Sequence, residues 1–214
     1  MSNPLFSVII PAHNSAAFIR RGLASIASQT FRDFELIVVC DNCTDNTEQI
    51  AQEYGARTDR VSYGRDGLTR DHGVRMARGT WLLFMDDDDW FIHEYCFQQV
   101  ADELMRIQDN VNVLSFGYIF RTKGYKAPEG DELFTPRVAH VWSKTWRRDT
   151  VLSQDARFGD AVFCSDTYFL KAMRNHIRNG AALNMPIYYY NFMRQGSQTD
   201  LFRRGIIRQS LVAE

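Results

Sequence analysis

Short apolar runs that each end in a polar cluster, separated by segments whose apolar residues recur at helical spacing, constrain this chain more than any other feature. Leu5-Phe6-Ser7-Val8-Ile9-Ile10, closed by Pro11, reads as a strand buried on both faces. The turn Pro11-Ala12-His13-Asn14 follows. From Ser15, a suitable N-cap, the residues Phe18, Ile19, Leu23 and Ile26 mark a helix ending near Gln29. Phe34-Glu35-Leu36-Ile37-Val38-Val39 is a second strand, and Asp45 with Glu48 gives a capping-box start to a helix through Tyr54. Arg60-Val61-Ser62-Tyr63 reads as a third strand, residues 69–78 as a helix stopped by Gly79, and Trp81-Leu82-Leu83-Phe84-Met85 as a fourth strand. This βαβαβαβ alternation implies an α/β, Rossmann-like and mostly parallel sheet with helices on both faces and right-handed crossovers. Ligands on such sheets bind beyond the strand C-termini. Pro11-Ala12-His13-Asn14, Cys40-Asp41-Asn42 and Asp86-Asp87-Asp88-Asp89 are therefore expected to share one crevice.

Beyond a helix over residues 92–107 the pattern loosens. Residues 111–120 and 187–190 read as strands, 166–176 as a helix and 123–131 as a polar loop, giving a mixed, aromatic-rich lobe. The 214 residues suit one domain, 1–214, with a change of role rather than a cut near residue 110, between halves 1–110 and 111–214.

The acidic run narrows the chemistry. Like charges ~5 Å apart at an effective dielectric of ~20 repel by roughly 3 kcal/mol per pair, so four adjacent carboxylates need an offset. In an extended segment Asp86 and Asp88 share one side and Asp87 and Asp89 the other. A same-side pair suits a hard divalent ion, Mg²⁺ or Mn²⁺, that takes its other ligands from water and substrate phosphates. The alternative is a solvated acidic turn.

Composition excludes other classes. The net charge of -1 argues against nucleic acid as a partner. No stretch reaches the ~18 apolar residues of a membrane span, and Met1-Ser2-Asn3-Pro4 lacks a signal-peptide layout, so the expected location is cytoplasmic. The four cysteines read as reduced packing thiols, Cys40-x-x-Cys43 having no second pair or nearby histidines to make a zinc site.

An ordered set of segments carries a resemblance. Ser7-Val8-Ile9-Ile10-Pro11-Ala12-His13-Asn14, Ser28-Gln29-Thr30-Phe31-Arg32-Asp33-Phe34-Glu35, Asp41-Asn42-Cys43-Thr44-Asp45-Asn46-Thr47 and Phe84-Met85-Asp86-Asp87-Asp88-Asp89-Trp90 resemble family 2 inverting glycosyltransferases of the GT-A fold. Val141-Trp142-Ser143-Lys144 with Arg147-Arg148, Ser165-Asp166-Thr167, and Pro186-Ile187-Tyr188-Tyr189-Tyr190 followed by Gly196-Ser197 are similar to that family's acceptor-side segments. The resemblance implies a metal-dependent transfer of a sugar from a nucleotide-diphosphate donor, of UDP type, to a hydroxyl of a glycan, lipid-linked or small-molecule acceptor, in polysaccharide or glycolipid synthesis.

It also implies roles. Asp41 matches the position that pairs with the base, where a carboxylate accepts from uracil N3–H; the alternative is a turn aspartate bonding backbone. Pro11, Ala12 and Asn14 would line that pocket, with His13 a wall. Arg70 matches an arginine approaching the diphosphate, against a plain surface charge among Arg65, Arg75 and Arg78. Asp88 is the implied metal ligand, with Asp86 toward the sugar or ribose and the metal's second shell. Asp166 fits the base that takes the acceptor's proton, with Asp160 a nearby competitor. Trp142, Trp146 and Trp90 are candidates to stack on sugars, Trp142 foremost, against ordinary core packing.

The chain departs from the pattern at Ser165, where a glutamate is common, and at Cys40 and Asn42-Cys43. Those departures leave open a nucleotide-sugar-binding protein without turnover. A phosphotransferase would need an aspartyl nucleophile or a lysine near the acids, and none of the four lysines precedes Arg121. The tail Leu201-Phe202-Arg203-Arg204-Gly205-Ile206-Ile207-Arg208 mixes apolar and basic residues and could rest on the inner face of a membrane, though Gly205 weakens a helix there and a packed terminal segment is the favoured alternative.

Overall fold

The computed structural model describes residues 3–107, 111–120, 140–161 and 164–191, with 195, 197, 200–201 and 204–206. The expected loop at 123–131, Gly196, and residues 202–203 and 207–208 of the tail lie outside the described residues. β1 (Phe6–Ala12), buried along its whole length, pairs in parallel with β2 (Phe34–Asp41) on one side and β4 (Trp81–Phe84) on the other. Cover on both faces is why its sequence shows no polar alternation. β2 pairs in parallel with β3 (Arg57–Val61). The crossovers are α1 (Ile19–Ala27), α2 (Thr47–Glu53) and α3 (Asp66–Met76). α3 lies on β1 and β2, and a Cβ on its Gly73 would come within 2.4 Å of the Ile9 side chain, so only glycine allows that approach.

The same sheet runs into the second half. After β5 (Trp90–Phe91), α4 (Cys96–Arg106), β6 (Val113–Phe120) and a single 3-10 turn, Val141–Ser143, come β7 (Lys144–Arg147) and α5 (Arg148–Ser153). α6 (Asp166–Ala172), α7 (Arg174–Arg178) and β8 (Ala181–Tyr190) follow. The strand order is β3-β2-β1-β4-β7-β6-β8-β5, with β7 antiparallel to β4 and β6, β8 parallel to β6, and β5 antiparallel to β8. Among the described residues no helix is long and apolar enough to cross a membrane.

Several elements differ from the sequence expectation for identifiable reasons. β3 ends at Val61, and beyond Ser62 the N–H groups of Tyr63, Gly64 and Arg65 go to the Asp41 side chain instead of the sheet. α3 starts three residues early, with Gly67 in its first turn, because that glycine packs against Gly159 and Ser165. Ser15 does not cap α1: its hydroxyl donates to Asp87. The capping box is half formed. Asp45 accepts from the Thr47 N–H at 3.0 Å, whereas Glu48 turns to Thr58 and Arg60. The helix expected over 166–176 breaks at Met173 into α6 and α7.

Candidate active site

Beyond Met85 the chain turns, the Asp89 N–H donating to the Asp86 carbonyl at 3.2 Å, so the two-sided alternation expected of the acids does not hold. Each goes its own way. Asp86 Oδ1 accepts from Arg70 Nη2 at 2.5 Å, and Asp87 from the Ser15 hydroxyl and the His13 N–H. Asp89 is fully buried and accepts from the Tyr188 hydroxyl at 2.6 Å and the Asn191 N–H at 2.7 Å. The same hydroxyl accepts from the Asp86 N–H at 3.1 Å. Burial, and then the charges of Asp88 and Asp86, push the Asp89 carboxyl well up. Asp88 is half-buried in the turn.

Protein donors thus offset much of the repulsion in the run, and that repulsion alone does not demand a cation. The donor set nevertheless suits a hard ion. Among the described residues no three His, Cys, Asp or Glu side chains gather to hold a metal unaided. Two carboxylates on one turn match an ion such as Mg²⁺ or Mn²⁺ that keeps waters and takes substrate oxygens.

The three strand ends converge as expected. His13 Nδ1 lies 2.6 Å from the Asp41 carbonyl, and the His13 N–H reaches Asp87, so one residue joins the ends of β2, β1 and β4. Pro11 and Ala12 are buried at the close of β1. Asn14, at φ +48°, accepts through Oδ1 from the N–H of Thr44 at 2.8 Å and of Asp45 at 3.3 Å. Asp41 is 5% exposed and engaged by five donors. Oδ1 accepts from Asn42 Nδ2 at 3.0 Å and the N–H groups of Tyr63 and Gly64 at 2.8 and 3.0 Å. Oδ2 accepts from the Arg65 N–H at 3.1 Å and the Thr69 hydroxyl at 2.9 Å. A carboxylate offers about four lone-pair sites, so these donors fill it. The resting geometry is the backbone-bonding alternative, reaching across to residues 63–65. Of the five donors, the amide of exposed Asn42 is the displaceable one.

Arg70 is not a surface charge. It is 7% exposed; Nη1 donates to Asp66 and, at 3.2 Å, to Ser165 Oγ, while Nη2 holds Asp86. The Ser165 hydroxyl donates to Asp66 Oδ2 at 2.9 Å. Burial works against the guanidinium's charge, but Asp86, Asp66 and Asp166 outweigh it and raise its pKa. Asp166 opens α6, half-buried, and accepts from the Val141 N–H at 3.0 Å. Burial pushes its carboxyl up to about 6; Arg70 and the Val141 N–H pull it down, while Asp86 and Asp66 push it further up. Its competitor Asp160 is exposed on the preceding turn.

Sequence reasoning missed three residues here. Asp66 stands beside Arg70, and Asp71 of α3 accepts from the N–H groups of Phe158 and Gly159 at 3.0 and 3.2 Å, tying down the segment that leads to Asp166. Lys144 is buried, Nζ donating to the His140 carbonyl and Ser143 Oγ, both at 3.1 Å. Burial pushes its amine down to about 8, opposed by Asp166. A lysine does therefore stand near an acid of the site, brought by β7 lying beside β4, which linear distance from the acidic run conceals.

The expectation that Trp142 forms a sugar platform is corrected. It is 3% exposed, with His140 stacked on it at 4.5 Å and Tyr188 at 4.7 Å, and the edge of Tyr118 at 4.7 Å, leaving no face for a sugar. Trp146 is fully buried, and Trp90 lies against Tyr189 with the Arg21 guanidinium over its ring. All four cysteines are free thiols, Cys40, Cys43 and Cys96 buried and Cys164 exposed.

A sheet parallel in its first half and mixed in its second, with an acid turn and other polar strand ends meeting at one edge, is an α/β architecture that places a ligand beyond the strand C-termini, and its structural neighbours are GT-A glycosyltransferases. The model of glycosyl transferase family 2 matches residues 7–191, and the chain belongs to that family. It is 32% identical over 212 residues to the uncharacterized glycosyltransferase EpsJ of Bacillus subtilis (strain 168), covering 87% of this chain and 61% of EpsJ. It is 26% identical over 236 residues to EpsH of the same organism, also named a glycosyltransferase, covering 96% of this chain and 67% of EpsH. The chain thus spans about two thirds of these relatives' length. Among solved structures, S. aureus TarS 1–349 in complex with UDP-GlcNAc superposes with a TM-score of 0.75 at 25% identity, over 94% of this chain and 61% of that 1–349 chain. The mannosyltransferase PcManGT from Pyrobaculum calidifontis, in complex with GDP-Man and Mn²⁺, shares the fold at a TM-score of 0.66 and 16% identity, over 95% and 61% of the two chains.

Proposed function

We propose that this chain transfers a sugar, with inversion, from a UDP-type nucleotide sugar to an acceptor hydroxyl, using Mn²⁺ or Mg²⁺ at the acid turn. One observation carries the reading: the acid turn ending β4 and the carboxyl held at about 6 at the start of α6 both act on a single buried guanidinium, Arg70. Residues 1–110 serve the donor and 111–214 the acceptor side of one unit. Pro11, Ala12 and Asn14 line the base pocket, and uracil N3–H takes the place of the Asn42 amide at Asp41 Oδ1. Asp88, with Asp86, would hold the divalent ion, whose contribution when bound is to offset charge on the departing nucleotide as a Lewis acid. Arg70 keeps positive charge between the donor and base sides.

Asp166 is ionised at neutral pH, since its raised value is still below 7. It accepts the acceptor's hydroxyl proton as that oxygen attacks the anomeric carbon and the bond to the nucleotide breaks; one displacement inverts the centre. TarS with UDP-GlcNAc and PcManGT with GDP-Man and Mn²⁺ support a nucleotide-sugar donor and a divalent ion. The acceptor is a glycan, a lipid-linked molecule or a small molecule, met in the cytoplasm.

A thermal-shift panel of UDP-glucose, UDP-GlcNAc and GDP-mannose, with and without Mn²⁺, tests the site. At a hundredfold excess over Kd a ligand of the native state adds about 2.7 kcal/mol. A UDP-sugar should raise the melting point only with Mn²⁺, and Asp88→Ala should abolish the shift. Equal stabilisation without metal would refute the site as drawn, and binding without UDP release would leave a binding protein.

A further inference from the structure

We propose that Asp66 is a positioning residue for the transfer: from α3 it holds Arg70 and, through the Ser165 hydroxyl, the start of α6, and so keeps the guanidinium off Asp166. The inference rests on the glycosyl-transfer reading of Asp166 and extends it to a residue at the other end of the cluster.

Three carboxylates, Asp66, Asp86 and Asp166, share one arginine. Arg70 can pair closely with only some of them, and the pairing decides whether the base is available. As folded, Nη1 goes to Asp66 and Nη2 to Asp86, while Asp166 takes the Val141 N–H. The Asp166 carboxylate thus lies in the field of the guanidinium without a hydrogen bond to it. An acceptor's proton needs that lone pair, and a base locked in an ion pair with arginine is a weaker one.

Ser165 fixes the arrangement. Its hydroxyl is the link between Asp66 and α6, donating to Oδ2 at 2.9 Å while accepting from Arg70 at 3.2 Å, one residue before the base. Among the described residues the cluster is also under-bonded: Asp66 Oδ1 and Arg70 Nε are buried and no described group hydrogen-bonds to them, which is rare for buried polar groups. Arg70 therefore keeps unused donor capacity, and loss of Asp66 lets it turn to Asp166. Because Asp66 Oδ2 and Ser165 Oγ are hydrogen-bonded neighbours, a carboxylate placed at residue 165 reaches the same region from the opposite element.

The test is steady-state UDP release from UDP-GlcNAc with Mn²⁺, water serving as acceptor. Asp66→Asn, nearly isosteric, should lower kcat about tenfold, a part of the roughly 10²–10⁴ that a positioned base supplies. The donor's KM should stay within about twofold, because the lost interaction matters in the transition state and not in donor binding. Adding Ser165→Asp to Asp66→Asn should restore most of the lost rate, which recovery of folding alone would not do. Ser165→Ala, which keeps all three carboxylates, gives a second reading if Asp66→Asn fails to fold, and should lower kcat severalfold. Wild-type protein that releases no UDP fells the transfer reading and this inference together. A wild type that turns over while Asp66→Asn or Ser165→Ala matches its kcat overturns this inference alone, as does a loss that the second-site carboxylate leaves unrepaired.

Discussion

Gly67→Ala tests whether Asp166, the proposed base, is held in place by the close contact between α3 and the segment before α6. A Cβ on Gly67 would sit 2.4 Å from the Gly159 carbonyl oxygen, 2.9 Å from Ser165 Cβ and 3.2 Å from Phe158 Cβ. Ordinary contact begins at 3.4 Å, so Gly159 must withdraw by 3.4 − 2.4, or 1.0 Å. That withdrawal opposes the bonds that the N–H groups of Phe158 and Gly159 donate to Asp71. Overpacking of this kind costs about 1–3 kcal/mol, against a gain of up to about 1 kcal/mol when alanine replaces glycine in a helix. A net loss of about 1–2 kcal/mol in a chain of this size lowers the melting point by about 2–8 °C. The rate effect is larger: a shift of about 1 Å in a catalytic group can lower turnover about 100-fold. Donor binding at the proposed Asp41 pocket should persist, since the clash falls on Gly159, Ser165 and Phe158 and not on Asp41. UDP release and the Mn²⁺-dependent thermal shift, measured on one preparation, separate the two effects. A variant with wild-type turnover and melting point would show that the contact does not position Asp166.

Three further outcomes follow from the site. Because Asp166 must be ionised to accept a proton and its carboxyl is pushed up to about 6, kcat/KM should fall as pH drops through about 6, and Asp166→Asn should abolish turnover; a flat profile from pH 5 to 7 contradicts the base assignment. Tyr188→Phe removes the hydroxyl that donates to buried Asp89 and accepts from the Asp86 N–H, and should cost about 1–3 kcal/mol in denaturant unfolding; an unchanged midpoint would contradict that bridge. Trp142→Ala should act as a core deletion of about 3–5 kcal/mol, read by the same unfolding; a fully stable variant with altered acceptor use alone would return Trp142 to the acceptor site.

The first half of the fold was legible because its strands are buried on both faces and its helices are separated by short polar turns. β1, β2 and β4 lie where the apolar runs put them, and their ends meet at His13. The second half was less legible. β7 is four residues long and carries Lys144 and Arg147, so nothing in its composition marks a central strand, and its place beside β4 comes from tertiary pairing. In the site, the acids were visible but their directions were not, because a turn replaces the extended geometry on which alternation depends. Asp66 falls before the helix expected over 69–78, and Asp71 at an ordinary polar position inside it. The packing of Gly67 against Gly159 and Ser165, with Asp71 holding the Phe158 and Gly159 N–H groups, shows that this face of α3 is turned inward.

The same carboxylate that is proposed to read the base also closes the loop at residues 63–65, so a change in nucleotide preference cannot begin there without loosening the wall it is meant to redesign. Redirecting the chain toward another nucleotide is better begun at Asn42. Among the described residues its amide is the one exposed side-chain donor on Asp41, and swapping it alters what the pocket offers an incoming ring while the backbone bonds from residues 63–65 and the buried Thr69 hydroxyl keep the rim in place.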